Sequence, residues 1–303
     1  MSDTASSRLL SGRSLAMAGG LVVVGLLPLA AGASPYMLGL LISSFGVGSY
    51  ASALLAAKLG VPVLLAIPLA GGVATLSSLA MLPALRLSGP YFALAILAYA
   101  QIFRILATEA SWLTGGAAGL QRFPGLPTVF GFNFAERHGS YVLVLGMVVL
   151  CALIYVVIRR SYVGIALRAI AESEDATRVV GVNSTLLKTW MLMLSAFIAG
   201  MFGALNAHII GFLEPDYAFS GIWSVMPIIG AVFGGYRSVI GPVFGAVVIY
   251  MFDQVIAKSL IPVGHQILLG IVLAGMVLLA PNGLAGLVGR IFSRTGGKHH
   301  ARA

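Results

Sequence analysis

The sequence predicts an all-α fold, a polytopic transmembrane helix bundle, and three observations carry that expectation. Of 303 residues, 59% are hydrophobic and 9% are charged, against about 45–50% apolar and about 25% charged in a soluble domain. The charged residues act as punctuation, because ionised side chains rarely face lipid and collect at the ends of spans. None stands between Arg13 and Lys58, and further charge-free intervals run from Leu59 to Leu85, Leu87 to Phe103, Gly139 to Ile158, Thr189 to Leu213, Tyr217 to Tyr236, Ser238 to Phe252 and Ser259 to Gly289. Set against the roughly 20 residues that cross a bilayer core, these give about nine spans. Their Leu/Ala/Val-rich, non-alternating character fits helices and not barrel strands, which would show a dyad period.

Taken in order, the first apolar run, Leu15 to Gly32, follows Arg8 and Arg13 and ends in small residues. It resembles a signal peptide but is longer than a usual apolar region and is followed at once by a second span, so retention is expected. Two long polar interruptions come later, Arg104 to Ser140 and Arg159 to Lys188. One span separates them, so they lie on opposite sides. The second carries Arg159, Arg160, Arg168, Arg178 and Lys188, and the tail 291–303 is basic without acids; positive-inside reasoning places both in the cytoplasm. The loop with Trp112, Pro124 and Pro127 is then external, with Lys58 external and Arg86 internal. Counting back further leaves Arg8 and Arg13 outside, against the rule, so the count is one helix short of the even number that two basic termini imply.

Glycine is abundant, 38 residues, and falls in small-xxx-small patterns at Gly230/Gly234, Gly241/Gly245 and Ala199/Gly203, which allow close helix approach in lipid. Pro62, Pro68, Pro83, Pro227 and Pro242 interrupt or bound apolar segments and point weakly to a central pathway, since freed backbone groups need cover. Cys151, inside an apolar stretch, reads as packing. The net charge of +9 sits between spans and not on one solvated face, so it reads as a topology signal and excludes a nucleic-acid partner.

The segment 161–188 is too polar to span. Ile165, Ala169, Ala176, Val179 and Val180, near Leu167 and Ile170, can form an apolar side on helical turns, leaving Arg168, Glu172, Asp175 and Arg178 toward water or a partner. Asp175, Ala176 and Thr177 followed by Gly181 give a spacing that resembles the cytoplasmic coupling loop of ABC importer permeases.

A wider set of motifs extends the resemblance. The run from Ser161 through Gly164, Leu167, Arg168, Ala169, Ile170, Glu174, Ala176, Gly181 and Lys188 to Ser195, Ala196, Ala199, Gly200, Gly203 and Ala204 is similar to the C-terminal core of branched-chain amino acid ABC transporter permeases of the LivM type. So are Gly234, Gly235, Ser238, Gly241, Pro242 and Gly245, and upstream the segments Leu87 to Ala98 and Thr114 to Leu120. The resemblance covers roughly residues 35 to 290. It departs from the family at Gly164-Ile165, where Gly-Arg is usual, and at Ala171, Ala118 and Ile96. A familial stretch of about one span is absent at Ser43-Ser44-Phe45, so Met37 to Ala57 reads as a fusion of pieces from two helices, in a chain one span short of its family.

The resemblance implies one permease domain over 1–303 with a coupling loop at 161–188. Gly164, Arg168, Ile170, Glu174, Asp175, Ala176 and Gly181 are the expected ATPase-coupling residues. Tyr91, Phe92, Thr114, Gly115 and Gly116 are expected along the substrate pathway. The implied partners are a homologous permease subunit, two ATPase subunits, an external solute-binding protein and membrane lipid, in a bacterial plasma (inner) membrane. The expected role is import of branched-chain or similar neutral amino acids. No Gly-x-x-x-x-Gly-Lys-Ser/Thr stretch is present, so no cofactor is expected on this chain, ATP belongs to the partners, and the chain is no enzyme. The alternative, a self-sufficient ion-coupled secondary transporter, needs intramembrane charge; Asp253 and His208 are its candidates, each near an expected outer end where a solvated or packing role competes.

Overall fold

The computed structural model describes residues 38–87, 90–129 and 132–221, and with gaps residues 223–275. The expected first span, Leu15 to Gly32, and the basic tail 291–303 lie outside the described residues, as does most of Ser259 to Gly289. The described part is an all-α bundle. Its helices are α1 (Leu38–Leu59), α2 (Val63–Ser78, prolonged by a 3-10 turn Leu79–Arg86), α3 (Pro90–Glu109), the short α4 (Ser111–Thr114), α5 (Arg137–Arg160), α6 (Tyr162–Glu172), α7 (Glu174–Val179), α8 (Ser184–Ile210), the short α9 (Pro215–Ala218) and α10 (Ile240–Met251). Val63–Leu85, His138–Arg160 and Ser184–Ile210 are long and apolar enough to cross a membrane, and Leu94–Glu109 with Ser111–Ala118 forms a fourth candidate bent by 76°.

Helix α8 is the axis of the bundle. Ser195, Ala196, Ala199, Gly200, Phe202, Gly203, Ala204 and Ala207 are all buried along it, so small residues occupy the face that α1 and α2 approach. A β-carbon on Gly203 would collide with the Phe45 carbonyl of α1, and one on Gly200 would lie 2.5 Å from Ala74 Cβ of α2. In lipid, where burying apolar surface between helices gains little, this backbone proximity supplies the association through van der Waals contact. The Ala199/Gly203 pattern therefore packs as expected, and Gly234 likewise lies against Gly241 and Gly245.

Of the stretch Met37 to Ala57, the described residues from Leu38 on fall in one helix, and Ser43 and Ser44 lie buried in it without a break. Its 22 residues span about 33 Å, close to a bilayer core. Pro62, Pro68 and Pro83 are all exposed: Pro62 precedes α2, Pro68 sits on its outer side and Pro83 lies in the 3-10 turn.

The polar stretch expected from Arg104 begins as helix. Helix α3 continues past Arg104 to Glu109, and Arg104 is paired: its Nη1 lies 2.6 Å from Asp216 Oδ1 of α9. The chain then bends at Ala110 into α4. Lys58 Nζ donates to the Trp112 carbonyl at 3.2 Å, which puts Lys58 and the Trp112 loop at the same end, as the charge pattern predicts. The loop holds one feature absent from an all-helical reading, a two-residue antiparallel ladder pairing Thr128 with Asn133 and Val129 with Phe132.

Candidate functional site

Two regions carry the residues the sequence singles out: the helical corner between α5 and α8, and the loop at the opposite end of the bundle. At the corner, α5 ends on Arg159 and Arg160, and Ser161 Oγ donates to the Ile158 carbonyl at 2.7 Å. The chain turns so sharply that a side chain at Gly164 would strike the Ile158 carbonyl. Gly164 is thus a packing requirement of the corner. Ser173, in extended conformation, separates α6 from α7 and caps α7, its Oγ accepting from Ala176 N at 3.3 Å. At the other end Gly181 has φ 91°, a left-handed conformation that glycine adopts without steric cost. A β-carbon there would meet open space, so substitution acts first through backbone strain. Asn183 then caps α8, accepting from Leu186 N at 3.0 Å.

Glu174 is the centre of this corner. Its Oε2 accepts from Lys188 Nζ at 2.6 Å; its Oε1 accepts from Arg178 Nη2 and from Ser184 Oγ, each at 2.9 Å. Arg178 Nε donates in turn to Ser184 Oγ at 2.8 Å. These contacts, the hydrogen bond from Lys188 foremost, hold the Glu174 carboxyl below its ordinary range. The sign is fixed by that direction: the fastening of α7 to α8 is complete at neutral pH and is lost as pH falls through the depressed Glu174 value. Arg178 of α7 and Lys188 of α8 are the charged groups acting on it. Amide exchange across 174–184, corrected for its intrinsic pH dependence, is expected to rise on acidification in the native chain. Glu174→Gln should show fast exchange already at neutral pH and no acid limb.

The geometry corrects the sequence reading of this segment in two respects. Glu174 is half-buried and binds Arg178, which stays exposed with Asp175 as expected, whereas Ala176, expected on the apolar side, is exposed too. The apolar side does not pack inward as one face. Gly164, Leu167 and Thr177 are buried and Ile170 is half-buried, but Tyr162 (91%), Ile165 (61%), Val179 (88%) and Val180 (82%) are exposed. Arg168 is exposed and reaches the Arg159 carbonyl at 3.5 Å. The result is an uncovered apolar surface on a corner fastened from within.

The expected pathway residues do not come together. Tyr91, 72% exposed, and Phe92, packed near Met81, Ile96 and Leu192, begin α3. Thr114, Gly115 and Gly116 follow its far end, about 30 Å along a helix of 20 residues. There Thr114 Oγ1 donates toward the Ala107 and Ala110 carbonyls at 2.6 and 2.8 Å, and Gly115 and Gly116 hold φ 78° and 62°. The glycine turn leads into Leu120, whose backbone exchanges hydrogen bonds of 2.8 and 3.0 Å with Leu213.

One polar group in this region is a coupling candidate of the ion-driven alternative. His208 is buried, as a packing and not a solvated residue. Its Nδ1 lies 2.7 Å from the Pro124 carbonyl and its Nε2 lies 2.8 Å from Ser52 Oγ of α1. A carbonyl can only accept, so Nδ1 carries the proton, and Nε2 pairs with the Ser52 hydroxyl, which can either donate or accept. Phe123 adds an edge contact at 5.5 Å. His208 thus joins α1, α8 and the outer loop. The other ionisable candidate, Asp253, is also buried.

A family described as "branched-chain amino acid transport system / permease component" matches residues 15–280. Over 246 residues the chain is 29% identical to the high-affinity branched-chain amino acid transport system permease protein LivM of Salmonella typhimurium, covering 72% of this chain and 56% of the relative. LivM of Escherichia coli is 28% identical with the same coverage. A probable branched-chain amino acid transport permease protein, LivH of Methanocaldococcus jannaschii, is 24% identical over 53% of this chain and 51% of its own. The chain therefore spans little more than half the length of the LivM relatives. No solved structure matches.

Proposed function

The chain belongs to the permease-component family of branched-chain amino acid transport systems, and from that premise we propose that it is the transmembrane permease subunit of an ABC importer for branched-chain or similar neutral amino acids. It works beside a homologous permease, receives substrate from an external solute-binding protein, and is driven by two separate ATPase subunits at a bacterial inner membrane. The observation that carries this reading is the exposed set of apolar side chains Tyr162, Ile165, Val179 and Val180 on the segment 161–188. This set lies outside the long apolar spans, on a segment whose Glu174 and Arg178 are bound to each other, and apolar side chains so placed favour a protein partner. Asp175 and Ala176, exposed beside it, would meet that partner directly.

The test uses the full chain in proteoliposomes, alone and with its second permease, ATPase subunits and binding protein. The chain alone is expected to give background uptake of a neutral amino acid under proton or sodium gradients, and the complex ATP-dependent uptake. Val179→Asp is expected to lower ATPase recovery on co-purification by about tenfold, as a desolvated charge in an apolar contact requires, with bundle stability unchanged. Gradient-driven uptake by the single chain would exclude the reading.

A further inference from the structure

The corner between α5 and α8 divides two neighbouring carboxylates between different tasks, and we propose that Glu174 is a positioning residue that makes α7 rigid with α8, so that displacement of the exposed coupling surface is delivered to the axial helix of the bundle. This rests on the reading that separate ATPase subunits act on that surface. Asp175 is exposed, whereas Glu174 binds Lys188, Ser184 and Arg178 at 2.6 to 2.9 Å. Two of those partners, Ser184 and Lys188, belong to the first turns of α8, and Ser184 is buried. The carboxylate thus spans the break at Gly181, where the backbone alone would form a soft joint.

The remaining links between these segments would not do this. Gly181 N donates to Arg178 O and Val182 N to Thr177 O, which close the end of α7 without reaching the body of α8. Ser173 and Asn183 cap one helix each. Arg178 Nε also reaches Ser184, the first residue of α8, but among the described side-chain contacts those through Glu174 carry the link further into α8, to Lys188. Helix α8 in turn packs on α1 and α2 through Gly200 and Gly203, so a rigid joint at its cytoplasmic end moves the seam on which the bundle is built.

The experiment measures uptake per ATP hydrolysed in the reconstituted complex, recovery of ATPase subunits, and amide exchange across 174–184, for Glu174→Gln, Lys188→Met and their combination. Each single variant is expected to lower uptake per ATP by about fivefold, the scale of one charge-assisted hydrogen bond discounted for partial exposure. Faster exchange at 174–184 should accompany it, with ATPase subunits still recovered. The double variant should be no worse than either single one, because both break the same link. Ser184→Ala, which removes one hydrogen bond and no charge, should give a smaller loss in the same direction. Multiplicative losses, or lost ATPase recovery with native exchange, would place Glu174 at the partner and overturn the proposal. Native coupling in Glu174→Gln would overturn it as well. A native chain that neither recruits ATPase subunits nor imports on ATP is a failure of the functional reading itself, seen before any variant is compared.

Discussion

Gly203→Val is expected to destabilise the bundle by about 3 kcal/mol, the upper range for overpacking a filled core. A first side-chain carbon at this position collides with the Phe45 carbonyl and approaches Ser49 Oγ to 2.9 Å. The obstruction is largely backbone, which cannot rotate aside as the end of a side chain could. Ser49 Oγ also donates to that same carbonyl at 2.8 Å, so pushing α1 away disturbs a buried polar pair as well. Thermal unfolding of the detergent-solubilised chain reads the effect. Gly146→Val on α5 is the control: a β-carbon there meets nothing within 4 Å, and its unfolding temperature should stay near the native one. Equal unfolding temperatures for the two variants would show that the α1–α8 seam is not the close contact described.

Much of this seam was legible in the sequence. Small residues four apart, Ala199 and Gly203, within a long apolar run announce a helix face made for close approach, and the charge-free intervals locate α5 and α8 to within a few residues. The charge pattern also put Lys58 and the Trp112 loop at one end, where a hydrogen bond joins them. What the sequence could not give depends on tertiary partners. Glu174 and Asp175 are chemically alike and neighbours on a helix, where successive side chains diverge by about 100°. Only the placement of Lys188 and Ser184 decides which turns inward. Arg104 reads as the end of a span because its partner Asp216 is distant in sequence. Tyr91 lies near the start of the interval Leu87 to Phe103 and Thr114 beyond its end, but an interval in sequence is a length in space, and a helix of 20 residues carries its ends apart. Ser49 and Ser52 leave no signal at all, since isolated serines in an apolar run fit lipid, packing or a polar link equally well.

Ser52 gains its meaning from His208, and there the last large effect is expected. In the native chain the loop carrying Arg122 is fastened on both sides of that residue, by the Leu120–Leu213 backbone pair and by the hydrogen bond from His208 to the Pro124 carbonyl. His208→Leu keeps apolar volume but leaves the Pro124 carbonyl without its donor, a net loss of about 0.5–1.5 kcal/mol for one hydrogen bond at an exposed loop residue. Ser52 loses less, because a serine hydroxyl in a helix can turn back to a carbonyl one turn earlier. The cost therefore falls on the loop and not on the helix pair. Arg122 is exposed, yet a protease needs several residues on either side in extended form, so cleavage reports opening of the fastened loop. Trypsin cleavage after Arg122 in the solubilised protein, followed by mass, is expected to accelerate about fivefold in His208→Leu, in proportion to the open population. Ser52→Ala, which leaves the Pro124 bond in place, should accelerate it far less. If both variants were cut at the native rate, the loop would owe its position to the Leu120–Leu213 pair and the burial of Leu126, and His208 would be a packed side chain with no hold on the outer end.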